Sequence, residues 1–213
     1  METLYIEPES NAELEVSYDD GYYDGYYDGY YDGYDSGYGY DGYSGYAYNA
    51  NEGYTNDGVT VGLFGYGSYT IDLSSGYYGT AVNINAAYSA GNNILIGSYA
   101  GNVISAGSGA TSLWGGADFA NDVLVGGSSY DLFYCGKASG NDAVLNASSM
   151  DTVYLHDAAL SDIVATYYDG TTVALQFNTG TVISTACTDY VSPTFVTADG
   201  GRYVFNRMTA SWQ

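Results

Sequence analysis

The chain has 213 residues and a formal net charge of −22, with 25 acidic residues against three basic ones. That length holds one ordinary domain with an appendage, or two small domains, and so allows a real core. Lys137, Arg202 and Arg207 all lie in the last third, which leaves no basic patch for nucleic acid or anionic lipid, and no stretch reaches the ~18 apolar residues of a membrane span.

Residues 1–17 read as an acidic lead with Glu2, Glu7, Glu9, Glu13 and Glu15, in which Pro8 opposes an early helix. The lead has neither the basic nor the apolar region of an ordinary N-terminal export signal, so export is expected to use another route.

Residues 18–57 form a low-complexity arm of tyrosine, aspartate and glycine. Between Tyr18 and Tyr54 it holds 14 of the 28 tyrosines, and "GYYDGYYDGYYDGY" runs from Gly21 to Tyr34. A four-residue period is even, so an extended strand keeps it in phase, with Tyr22, Tyr26, Tyr30 and Tyr34 on one face and Tyr23, Tyr27 and Tyr31 on the other. A helix is opposed by a glycine in every turn, at ~1 kcal/mol each. Free in water the arm has no core to bury and its charges repel, which predicts disorder. Against a partner surface the same seven tyrosines offer large contact area at low entropic cost, which makes them the expected assembly arm on a neighbouring subunit. Glycan attachment or oxidative cross-linking of the phenols are the alternatives.

From residue 58 to 155 the composition turns to Gly, Ala, Ser, Asn and β-branched residues, with short apolar runs such as "YTIDL", "NILI" and "VLV" between turn signals, which predicts an all-β region. A hidden repeat organises it. The apolar centres Leu95, Ile104, Leu113, Leu124, Phe133, Val144 and Val153 each follow, by two positions, one of Asn93, Asn102, Thr111, Asp122, Asp131, Asp142 and Asp151. Both series advance by nine residues except for two steps of eleven. A unit this short buries its single apolar side chain only by stacking. Two units per coil then give about three and a half coils of a right-handed parallel β-roll.

The unit resembles the RTX (repeats-in-toxin) nonapeptide G-G-x-G-x-D-x-U-x, as in "GGSSYDLFY" from Gly126 to Tyr134 and, with insertions, "GGADFANDVLV" and "CGKASGNDAVL". The similarity covers Tyr88 to Tyr154, and the chain beyond it resembles the C-terminal module of large bacterial surface proteins with degenerate RTX repeats. The resemblance implies calcium held by Asp122 with Asp142 on one edge and by Asp131 with Asp151 on the other. Asn93, Asn102 and Thr111 depart from the motif, so the first half is expected to need no cation and the second to hold at most one or two weak sites. No cofactor is required; calcium is the one implied. The resemblance also implies type I secretion through an uncleaved C-terminal signal, and an extracellular or cell-surface location.

Residues 156–213 are predicted to form antiparallel hairpins turning at Asp169-Gly170, Asn178 to Gly180 and Asp199 to Gly201, capping the open end of the roll. His156 is the single histidine, which excludes His-based zinc sites and leaves catalysis without a constellation; it reads as a surface residue. Cys135 and Cys187 read as two part-buried free thiols.

These features point to a non-enzymatic structural protein that assembles with itself head to tail into a filament or surface layer. The second reading is a calcium-dependent adhesin or carbohydrate-binding module. An ice-binding face is a distant third, hinted at by Asn93, Asn102 and Thr111.

Overall fold

The computed structural model describes residues 2–5, 53–56, 60–74, 81–116 and 118–213. The assembly-arm tyrosines Tyr22 to Tyr34 lie outside the described residues. The described chain is all-β with one short 3-10 turn, Leu160–Asp162.

Strands β1 (Glu2–Tyr5) and β2 (Gly53–Asn56) lie at sheet edges. Ten strands then wind: β3 (Thr60–Gly65), β4 (Tyr69–Asp72), β5 (Asn83–Ser89), β6 (Asn93–Ile96), β7 (Val103–Ser105), β8 (Thr111–Trp114), β9 (Val123–Val125), β10 (Asp131–Cys135), β11 (Ala143–Ala147) and β12 (Thr152–Leu155). The chain crosses to the opposite sheet at each step, so every strand pairs in parallel with the one two further on. This is a parallel β-solenoid. Its even-numbered sheet begins β1-β4-β6-β8-β10-β12, and its odd-numbered sheet ends β11-β9-β7-β5-β3-β2.

The core is the predicted column. Leu95, Leu113, Phe133 and Val153 are in register on one sheet, Ile104, Leu124 and Val144 on the other, and all are 0 % exposed. The column starts earlier than the nonapeptide spacing indicates, because Val61 pairs with Ile84 and Ile71 with Leu95. Here the centres Val61, Ile71, Ile84 and Leu95 stand ten, thirteen and eleven residues apart, and the ladder positions before Ile71 and Ile84 are held by Tyr69 and Val82 instead of a short polar residue.

The hairpins form at the predicted turns: β13 (Ile163–Tyr168) with β14 (Thr172–Phe177), β14 with β15 (Val182–Cys187), and β16 (Val191–Thr197) with β17 (Arg202–Asn206), which pairs in turn with β18 (Ser211–Trp212). They are more than a lid. β15 pairs in parallel with β11, and β16 with β12, so each sheet gains another solenoid strand before its direction reverses. Trp212 then closes the end, edge-on to Phe195 and Phe205 at 5.3 and 5.2 Å, with its Nε1 donating to Thr166 Oγ1 across the sheets at 3.2 Å. The Arg207 guanidinium donates to the carbonyls of Gly170, Cys187 and Asp189, tying the hairpins together.

The cysteines do not pair. Cys135 is fully buried, which pushes its thiol well above the usual range, and burial pushes the part-exposed Cys187 up to about 11. Thiol-reactive disulfide reagent at pH 8 is therefore expected to label Cys187 slowly and Cys135 only after denaturation. Equal labelling of both in the native protein would contradict this burial.

Candidate functional sites

Two places on the solenoid gather chemistry: the carboxylate ladder inside the turns, and an aromatic groove on the outside of the even-numbered sheet.

The ladder residues sit where a strand begins, with the side chain pointing into the turn. All seven, Asn93 to Asp151, are 1–3 % exposed. Six of the side chains reach the backbone of the preceding coil, while Thr111 Oγ1 donates to the Gly109 carbonyl of its own turn. The N–H of Asp122 donates to Asp142 Oδ1 (3.1 Å), Asp131 to Asp151 Oδ1 (2.8 Å), Asn102 to Asp122 Oδ1 (2.7 Å) and Thr111 to Asp131 Oδ1 (3.0 Å). So Asp122 meets Asp142 and Asp131 meets Asp151, the pairs the motif places together, linked through peptide N–H groups. The amides do the same without charge: Asn93 Oδ1 accepts from Tyr69 N–H, and Asn102 Nδ2 donates to the Val82 carbonyl. Because Asn93, Asn102 and Thr111 are buried, the ice-binding reading has no exposed face to stand on.

The second carboxylate oxygen distinguishes the sites. Asp131 Oδ2 accepts from Gly127 N–H (2.6 Å), Asp142 Oδ2 from Ser139 Oγ (2.7 Å), and Asp151 Oδ2 from Ser148 N–H (2.7 Å). Among the described residues Asp122 Oδ2 is buried with no partner, and so is Asp118 Oδ2 four residues earlier. Both oxygens lie against Gly115-Gly116: a Cβ on Gly115 would be 2.0 Å from Asp122 Oδ2, and one on Gly116 3.1 Å from Asp118 Oδ2. In the preceding coil the equivalent pair is Ser98 and Asn102, whose Nδ2 donates to Ser98 Oγ at 3.0 Å. Where the shorter turn has an amide-to-hydroxyl bond, the eleven-residue turn thus has two unpartnered acid oxygens.

Burial pushes the Asp122 carboxyl up to about 7 against the Asn102 N–H, and the charges of Asp142 and Asp118 push the same way. Burial pushes Asp131 and Asp142 up to about 6, opposed by the N–H of Gly127 for Asp131 and by the Ser139 hydroxyl for Asp142. Protonation of Asp122 relieves both the burial and the repulsion. Among the described residues no three His, Cys, Asp or Glu side chains group closely enough to hold a metal ion; calcium takes 6–8 oxygens, so the free pair would need turn carbonyls and water to complete a shell.

The groove arises from register. Asp72, Ile96, Trp114, Tyr134, Tyr154 and Val196 form one cross-strand row on the even-numbered sheet, each directly after a buried centre and so facing outward. Trp114 and Tyr134 are 6.4 Å apart and tilted, and Tyr134 meets Tyr154 edge-on at 5.6 Å. A groove of about 440 Å³ opens here, its side-chain walls being Ile94, Ile96, Ser112, Trp114, Tyr134 and His156. His156, expected to be an ordinary surface residue, is half-buried with its ring 6.0 Å from Trp114. Its Nε2 and Trp114 Nε1 are both buried without a hydrogen-bond partner among the described residues. No sequence motif marks this groove; its signal is the residue one place after alternate strand centres.

Compared with protein-family models, with curated proteins and with solved structures, the chain matches none.

Proposed function

We propose that the chain is a non-enzymatic structural protein that works outside the cell, assembling with copies of itself into a filament or surface layer. What carries this reading is the edge strand β13. Its sequence, IVATYY, has no charge and no proline, its outer edge has no strand partner among the described residues, and Val164 and Tyr167 are 61 % and 57 % exposed. Soluble monomers ordinarily blunt such an edge with a charge, a proline or a covering loop. At the other end of the odd-numbered sheet β2 is also terminal, so edge-to-edge pairing of successive copies adds strand to strand without closing. The tyrosine arm, with Tyr22, Tyr23, Tyr26, Tyr27, Tyr30, Tyr31 and Tyr34, is proposed to reinforce that contact on the neighbour. RTX membership, type I secretion and a bacterial surface location belong to the same proposal. So does calcium, for which the Asp118–Asp122 turn has the free carboxylate oxygens.

Negative-stain microscopy of the full chain, in millimolar calcium and in chelator, tests it. Filaments or sheets are expected, lost in the truncation beginning at Tyr54 and in Val164→Lys, whose exposed site should change the melt by less than ~0.5 kcal/mol. Dispersed particles from the full chain in every condition would refute the reading.

A further inference from the structure

We propose that the Ile96–Trp114–Tyr134–His156 groove is a binding site for an uncharged saccharide, a short stretch of polysaccharide laid across strands β6 to β12. This rests on the outer face of the even-numbered sheet and is independent of assembly through β13.

Size comes first: a groove of about 440 Å³ falls within the range of small-molecule sites, and three strand spacings span ~14 Å. Its walls then set the chemistry. Ile94, Ile96, Trp114 and Tyr134 provide apolar and aromatic surface of the kind that covers the C–H face of a sugar ring. Trp114 Nε1 is a donor and His156 Nε2 accepts or donates with its protonation state, and both are buried without partners. A purely apolar ligand would leave them unpaired, at the usual cost of a buried orphan, whereas a sugar that parts the Trp114 and His156 rings brings hydroxyls to both nitrogens. Charge decides the rest: among the described residues neither a cation nor a carboxylate lines the groove, and the chain carries −22, which disfavours sulfated or uronic sugars.

Calorimetric and tryptophan-fluorescence titration of the full chain with neutral oligomers of glucose, mannose and N-acetylglucosamine tests the site. Binding of at least one with Kd between ~10⁻⁵ and ~10⁻³ M is expected. Trp114→Ala and Ile96→Lys should weaken it at least tenfold. Trp114→Phe, which keeps a ring and removes the N–H, should weaken it severalfold and covers the case that Trp114→Ala fails to fold. Tyr190→Ala, an exposed tyrosine just before β16 and outside both the groove and the β13 edge, should leave it unchanged. No neutral oligomer bound at ~10 mM, or binding indifferent to Trp114→Phe and Ile96→Lys, would overturn the proposal. So would preference for sulfated sugars or for choline. A concentration-dependent shift of tryptophan emission that Ile96→Lys abolishes without any sugar effect would assign the groove to a second copy of the chain instead.

Discussion

The protein is expected to become more stable as the pH falls from 8 to 5.5, and Asp122→Asn is expected to raise its melting temperature at pH 8 and flatten that dependence. Asp122 titrates near 7 in the folded chain and Asp131 and Asp142 near 6, all raised from 3.8. A carboxyl whose folded pKa lies above its unfolded value binds its proton more tightly in the folded state, so stability falls as pH rises through the window between about 4 and 7. The lowered groups, Asp162, Asp169, Asp189 and Asp199, act in the opposite sense, and their contribution is lost only as pH drops below the unfolded value. Between pH 8 and 5.5 the raised set therefore governs. Discounted for solvent screening, it amounts to about 2 kcal/mol, on the order of 4–8 °C for a chain of this size.

Asparagine at 122 keeps the acceptor for Asn102 N–H and removes the buried charge that burial, Asp142 and Asp118 all disfavour. The expected gain at pH 8 is ~1–2 kcal/mol. Asp131→Asn is the contrasting substitution. Both Asp131 oxygens accept from N–H groups, of Thr111 and Gly127, so an amide nitrogen would face a donor, at a cost of ~1–3 kcal/mol. Calcium bound at the Asp118–Asp122 turn would take the proton's place, raising the wild-type melt at pH 8 and leaving Asp122→Asn unmoved. A wild-type melt that declines steadily from pH 8 to 5.5 would show that these carboxylates are not the buried, proton-seeking groups described.

Much of the fold is legible in the residues because the solenoid repeats a local rule. Leu95 to Val153 stand at near-constant spacing since every coil needs one inward side chain per strand, and Asp169-Gly170 or Asp199 to Gly201 mark hairpins through turn chemistry alone. Where the rule relaxes, the pattern fails. Val61, Ile71 and Ile84 belong to the same column, but their turns vary in length and Tyr69 and Val82 hold the ladder positions, so a nine-residue search passes over them. The return of β15 and β16 to the two sheets pairs Thr185 with Val144 and Phe195 with Val153, contacts across some forty residues that no local signal encodes. The β1 strand, drawn from an acidic lead, is the same kind of case.

The groove was hidden for another reason. Ile96, Trp114, Tyr134 and Tyr154 each follow alternate centres, while Ser105, Val125 and Leu145 follow the rest. An alignment of ladder and centre positions alone does not show that row, although it falls in the next column. Likewise the orphaned oxygen of Asp122 depends on Asp118, which lies in an inserted turn where the nonapeptide register is interrupted.

Gly127→Ala is expected to be among the most damaging single-methyl changes in the molecule. A Cβ there would lie 1.7 Å from the Gly107 carbonyl oxygen, and one on Gly107 would lie 2.0 Å from the carbonyl of Ser89. These atoms are backbone, held by the stacking itself: Ser128 N–H donates to Gly107 O at 3.2 Å and Ser108 N–H to Ser89 O at 2.9 Å. No flexible side chain can yield, so the coil must lift off its neighbour, which strains the Asp131 bond to Gly127 N–H in the same turn. Ordinary overpacking costs about 1–3 kcal/mol, and the loss expected here is at the top of that range or above, a fall of roughly 6–12 °C. Gly170→Ala separates this effect from conformational strain. Gly170 has φ +102° with nothing within 4 Å of an added Cβ, so its cost is the left-handed backbone alone, ~1–2 kcal/mol. Equal losses at the two sites would mean that the turns bear on one another only through their hydrogen bonds. A larger loss at Gly127, accompanied by faster amide exchange in β8 and β10 and not in the hairpins, would place the tight backbone stacking of the turns, more than their side-chain ladder, as what holds successive coils in register.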